Sequence, residues 1–143
     1  MANLRLNVAA SEHATGTTAK TVLGYTAPAS AGATVKRFGI QFKGTTPTDA
    51  PILVEALRGA TSGTGTSVTP AKVSGHTGSA QGTAKENYSA EPSGGTVVAR
   101  HLVHPQSGFV LPTEIQLNPA EQFTLRVTAG VSVSCVPSFD IEE

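Results

Sequence analysis

The stretch that decides the fold is QFTLRVTA, Gln122 to Ala129, followed by Gly130 and then VSVSCV, Val131 to Val136. Phe123, Leu125, Val127 and Ala129 alternate with Gln122, Thr124, Arg126 and Thr128. A period of two sends the first set to one face and the second to the other, as in a half-buried β-strand. Val131, Val133 and Cys135 alternate in the same way with Ser132 and Ser134. The short Ala-Gly link predicts a hairpin between the two runs.

Working outward, VKRFGIQFK (Val35 to Lys43) repeats the pattern, with Phe38, Ile40 and Phe42 opposed to Arg37, Gly39, Gln41 and Lys43. ILVEAL (Ile52 to Leu57) is an apolar run of strand length, and AKTVLGYTA (Ala19 to Ala27) holds a strand around Val22. FVLP and EIQL, on either side of Pro112, read as two short strands or as one broken by the proline. TVVARHLVH, Thr96 to His104, is long enough for two helical turns, but its β-branched Thr96, Val97, Val98 and Val103 favour a strand. Such segments, spaced by Gly- and Pro-containing turns, predict an all-β, single-domain antiparallel β-sandwich of jelly-roll type.

Between Ala60 and Gly95 large apolar residues thin out into a long Gly/Ser/Thr-rich loop region, with short strands expected near Ser67–Thr69 and Thr83–Tyr88. The sandwich is assigned to residues 19–143. Residues 1–18 admit two readings. Leu4, Leu6 and Val8 alternate with Asn3, Arg5 and Asn7, which suits either a first edge strand of the same sheet or an arm that pairs with a neighbouring subunit. At the other end, SFDIEE reads as a closing edge strand whose acids discourage pairing.

The totals narrow the function. The chain has 143 residues, 10 basic and 10 acidic, for a formal net charge of +0. That length fits one domain, able to bury roughly 70% of its unfolded surface. The charges are scattered, and aromatics are 5% with no Trp, so neither a basic nucleic-acid stripe nor a base-stacking platform is present. One cysteine, Cys135, excludes an intrachain disulfide and a cysteine-cluster metal site, and it reads as a small buried apolar residue. No apolar run approaches the ~18 residues of a membrane helix, and Arg5 and Asn7 interrupt any signal-peptide core. Synthesis in a cytoplasm is the expectation.

Candidate chemistry is sparse. RHLVHPQSGFVLP, Arg100 to Pro112, holds His101 and His104 three residues apart. On a strand that spacing sends the two rings to opposite faces, and no acid or cysteine lies near enough in sequence to complete a zinc set. The run reads instead as a strand ending at His104, a Pro-Gln-Ser-Gly turn with Pro105 at its second position and Gly108 at its last, and a return strand from Phe109. A turn of this kind can still touch a partner, which makes His101, His104 and Gln106 candidate contacts, alongside Leu4 and Leu6 of the arm reading. His13 and His76 lie in polar segments and are expected to be solvated. No serine has the G-x-S-x-G frame, and Ser62-Gly63-Thr64-Gly65 lacks a P-loop's Gly-Lys ending. Glu114 and Glu121 would serve as a glycosidase pair only if they faced one cleft. Asn87-Tyr88-Ser89 matches a glycosylation frame that so Ser/Thr-rich a chain produces by chance. No enzyme activity, cofactor or metal is expected.

AKTVLGYTAPA, FGIQFKGTTPTDAPILVEALR, TSGTGTSVTPAKV, YSAEP at Ser89's neighbourhood (Tyr88 to Pro92), VHPQSGF and the closing LRVTAGVSVSCVPSFDIEE, taken in that order, make the chain resemble a group of small tailed-bacteriophage virion proteins. The resemblance covers most of the chain from about Lys20, and none of its segments is a catalytic motif. It implies a capsid decoration, or cement, protein with a β-sandwich or jelly-roll fold. The partner would be the major capsid protein and the location the virion surface. A homo-oligomer is expected, with a trimer suiting the three-fold positions of a capsid lattice. The alternative on the same fold is a receptor- or carbohydrate-binding module of a phage fibre, which the Ala60–Gly95 region motivates and the scarcity of aromatic residues opposes.

Overall fold

The computed structural model describes residues 4–43, 50–73, 75 and 77–143. Asn3 and His76 lie outside the described residues. Twelve strands account for the fold, with no helix among the described residues. They are β1 (Arg5–Ala9), β2 (His13–Ala14), β3 (Lys20–Thr26), β4 (Ala33–Lys43), β5 (Ile52–Ala60), β6 (Thr64–Val68), β7 (Ala71–Lys72), β8 (Thr83–Ala90), β9 (Thr96–Val103), β10 (Gly108–Leu117), β11 (Gln122–Thr128) and β12 (Ser134–Glu142). Sheet A runs β10-β4-β12-β1-β7, with β2 also on β12, and sheet B runs β6-β8-β3-β11-β5-β9.

Without β2 and the β6–β8 excursion, the remaining strands pair first with last: β1 with β12, β3 with β11, β4 with β10 and β5 with β9. All four pairings are antiparallel. That nested pairing is a jelly roll, a two-sheet sandwich. The core lies between the sheets because alternate residues of every long strand face inward. Phe38, Phe123 and Phe139 are each no more than 1% exposed, with Phe123 centred 5.8 Å from Phe38 and 5.0 Å from Phe139. Cys135 is buried in the same core, and burial pushes its thiol up to about 12, which keeps it an unreactive apolar filler.

Several expectations are corrected. Gln122–Thr128 and the VSVSCV segment do not form a hairpin: β11 lies in sheet B and β12 in sheet A, so the link crosses the sandwich. The cross-over is held by Thr15, whose Oγ1 accepts from the Val133 amide at 3.1 Å and whose own amide donates to the Val133 carbonyl at 2.8 Å. Val133 and Cys135 are buried, whereas Val131 is 51% exposed and lies before the strand. Nor is SFDIEE an edge. β12 sits between β4 and β1, and its acids are spent on neighbours: Asp140 receives Arg37 at 2.8 Å and Asn7 at 2.7 Å.

At the N-terminus, β1 pairs with β12 across Arg5–Ala9, and Leu4 continues the pairing by reciprocal backbone bonds with Glu143. Leu4 and Leu6 are 6% and 1% exposed, so they fill this chain's own core and offer no partner surface. FVLP and EIQL are one strand, β10, with a register shift between Pro112 and Ile115. Pro112 is accommodated because β10 is an edge strand, where a missing N–H leaves no ladder bond unmade. Inside the long Ala60–Gly95 region, β6 and β8 extend sheet B beyond β3.

Candidate interaction edge

The sandwich has two flanks, and the jelly-roll pairing gives one of them two long edge strands. Among the described residues, β9 ends sheet B with only β5 beside it, and β10 ends sheet A with only β4 beside it. The turn after β9 carries the chain from one sheet to the other, so the return strand of the sequence reading is not a hairpin partner of β9. Within the turn the Ser107 amide donates to the His104 carbonyl at 3.2 Å. Pro105 thus takes the second position as expected, but the turn closes at Ser107 and Gly108 opens β10. A side chain at Gly108 would strike the Ile40 carbonyl, so the close approach of β10 to β4 there requires glycine.

Apart from Val103 and Leu117, which are buried, the residues facing inward from these two strands are only half-buried, because no further strand among the described residues covers them. On β10 they are Phe109, Leu111 and Ile115, packed against the core cluster; on β9 they are Ala99 and His101. Phe109 meets Phe38 edge-on at 6.0 Å and the His101 ring at 4.9 Å. Outward-facing apolar residues add to the surface: Leu102 is 72% exposed, Val110 51% and Val98 45%. A hollow of about 400 Å³ opens beside the turn, walled by Gln41, Phe42, Gln106, Ser107, Phe109 and Val110.

The candidate residues are thereby sorted. His101 points inward at the seam, and its Nε2 is buried with no hydrogen-bond partner. His104 is exposed in the turn, where its Nδ1 accepts from the Gln106 amide at 3.1 Å. The two rings are in different surroundings, His101 on β9 and His104 in the turn beyond it, and no cluster of three potential metal ligands is found among the described residues. Gln106 lines the hollow. Leu4 and Leu6 are remote from this flank, on β1's side of sheet A. His13 is not fully solvated: it is half-buried in β2, its Nδ1 2.9 Å from the Ser11 carbonyl. Glu114 and Glu121 have separate partners, Lys36 at 2.7 Å and Arg58 at 2.6 Å.

Leu102, Val98 and Val110 were not singled out by sequence reasoning. The signal was present: TVVARHLV carries apolar residues on both faces, which suits a central strand or a strand awaiting a partner, and only the topology makes β9 an edge.

Charge near the flank is organised across sheet B. Glu55 of β5 is 6% exposed and receives Arg100 of β9 at 2.8 Å and Arg126 of β11 at 3.0 Å. Burial alone would raise its carboxyl; the two guanidinium bonds outweigh burial and hold it below the usual carboxylate range.

No family model matches the chain, and no curated protein matches it. Among solved structures it is similar to a chain in the structure of infectious bursal disease virus Gx strain, at 10% identity and a TM-score of 0.23 over 99% of this chain. The chain spans 39% of that chain's length. A likeness so slight carries no argument about fold or function.

Proposed function

We propose that the chain is a structural virion protein that decorates the outside of a tailed-phage capsid, docking on the major capsid protein as a homo-oligomer. Jelly rolls serve viral shells and lectins alike, so the fold does not choose between them. What supports this reading is the β9–β10 flank: two long free strand edges and a strip of exposed and half-buried apolar side chains on a rigid sandwich. Such a flank suits a flat protein surface or an added strand. Repetition over a shell turns modest single contacts into firm attachment. A trimer would match three-fold lattice positions.

The test is co-sedimentation of the purified protein with empty capsids of the phage that encodes it, with particle mass measured in parallel. Saturable binding at a stoichiometry fixed by the lattice is expected. Absence from purified virions together with no binding to shells would end the proposal.

A further inference from the structure

Away from that flank, the outer face of sheet B carries a hollow of about 320 Å³, bordered by β3, β5, β8 and β11. We infer that it is a binding site for a single acidic sugar residue, a monosaccharide-sized ligand bearing a carboxylate. The inference stands apart from shell docking and uses none of the β9–β10 residues.

The hollow is built rather than left over. Tyr88 of β8 lies across the sheet, and two glycines make room for it: a Cβ at Gly24 would overlap the Tyr88 hydroxyl, and one at Gly63 would come within 2.9 Å of its ring. Among the described residues, the three non-glycine residues with positive φ are Ser62 (66°), Asn87 (49°) and Ala120 (62°). Ser62 and Ala120 line the hollow, and Asn87 precedes Tyr88. Residues held in sparsely populated backbone conformations of this kind cluster at ligand sites.

The lining chemistry selects the ligand. Gln122, 8% exposed, donates from Nε2 to the Tyr88 hydroxyl at 3.1 Å, while its Oε1 is buried with no partner. If the amide is turned over, the orphan becomes a donor, but one amide atom is unsatisfied either way. The orphan is fully buried, so a ligand hydroxyl would take it up only if the Gln122 amide turns toward the hollow on binding, and it would then gain a bond and displace none. The Tyr88 hydroxyl, accepting from Gln122, keeps its own proton to donate. Hydroxyls of Thr26, Thr61, Ser62 and Thr83 surround the opening. Lys85 is the cation of the lining, which contains no carboxylate. Its ammonium is 3.5 Å from the Gly63 carbonyl and forms no ion pair among the described residues. Converging hydroxyl and amide groups match a polyhydroxylated ring, and the lone ammonium selects one carrying an acid. The volume is at the small end of ligand pockets, enough for one ring.

The experiment titrates the ¹⁵N-labelled protein with methyl β-D-glucuronide, methyl β-D-glucoside, acetate and inorganic phosphate. The glucuronide is expected to saturate with a dissociation constant below about 10 mM, shifting Lys85, Tyr88 and the Gln122 side-chain amide, with the other three at least about tenfold weaker. Lys85→Ala should abolish the preference for glucuronide over glucoside while the spectrum stays dispersed, and Lys85→Met repeats the test with the stem retained. No shifts up to about 50 mM glucuronide would overturn the inference. So would acetate or phosphate binding as tightly as the glucuronide, or a preference that survives both substitutions.

Discussion

The two flanks of the sandwich are closed in opposite ways. On the β6/β7 flank, polar side chains bridge one sheet to the other. Glu86, facing inward from β8, accepts from the Ser11 amide and hydroxyl, each at 2.6 Å. Glu143, at the end of sheet A, accepts from the Tyr25 hydroxyl and from the amides of Gln81 and Gly82 at 2.8 and 2.9 Å. The edge strands there are short: β6 has five residues and β7 two. On the β9/β10 flank the edge strands have eight and ten residues, and no such bridge joins them among the described residues. Their closure is apolar and incomplete. A flank whose polar groups are satisfied internally has little to offer a partner. One that leaves apolar area half-covered and two ladders unpaired still has free energy to gain from contact.

The sharpest test of that contrast compares core and seam. Phe38→Ala, at a fully buried ring between the sheets, should cost about 3–5 kcal/mol in chemical denaturation. Phe109→Ala, at the half-buried seam, should cost about 1–2 kcal/mol, since less area leaves water on folding. Equal losses would mean that the flank is as closed as the centre.

Glu86→Ala should destabilise by about 1–3 kcal/mol, because it strands the Ser11 amide at a part-buried position. Denaturation midpoints measure this, and a negligible change would remove the polar bridge from the account of the closed flank.

For docking, Leu102→Asp with Val110→Asp should weaken shell binding at least about tenfold, a loss of about 1.4 kcal/mol, with little change in melting temperature. Thr66→Asp, on exposed β6, should leave binding unchanged. Reversal of that pattern would move the docking face to the other flank.

The smallest effect is acid sensitivity beside β9. Because the folded-state carboxyl of Glu55 is depressed, its stabilising contribution is present above the unfolded value of about 4.3 and is lost as pH falls through the folded one. Glu55→Gln should therefore flatten the stability profile below about pH 4.3, by less than about 1 kcal/mol, since the Arg100 side chain is 65% exposed and screened by water.

Much of this architecture was legible. Alternation in Val35–Lys43 and Gln122–Ala129 identified inward faces correctly because side-chain direction along a strand is a local property. The β-branched run at Thr96–Val103 decided against a helix because the crowding of branched side chains against the preceding helical turn is also local. What failed was adjacency. Ala129-Gly130 looks like a hairpin link, and SFDIEE looks like an edge, because a two-residue period says which side chains face alike and not which strand lies alongside. The docking flank was only half visible: His101, His104 and Gln106 drew notice as a turn, while the exposed Leu102 and Val110 did not. The sugar hollow was not visible, since Gly24, Lys85, Tyr88 and Gln122 come together only through the β8-β3-β11 order.

The sequence by itself therefore determined an all-β chain with a single core and the facing of most strand residues, because those follow from steric alternation within a few neighbouring residues. Tertiary structure alone decided which strands are edges, which acids are paired and where the surface is unfinished, because antiparallel pairing joins residues more than a hundred positions apart, as Leu6 joins Ile141.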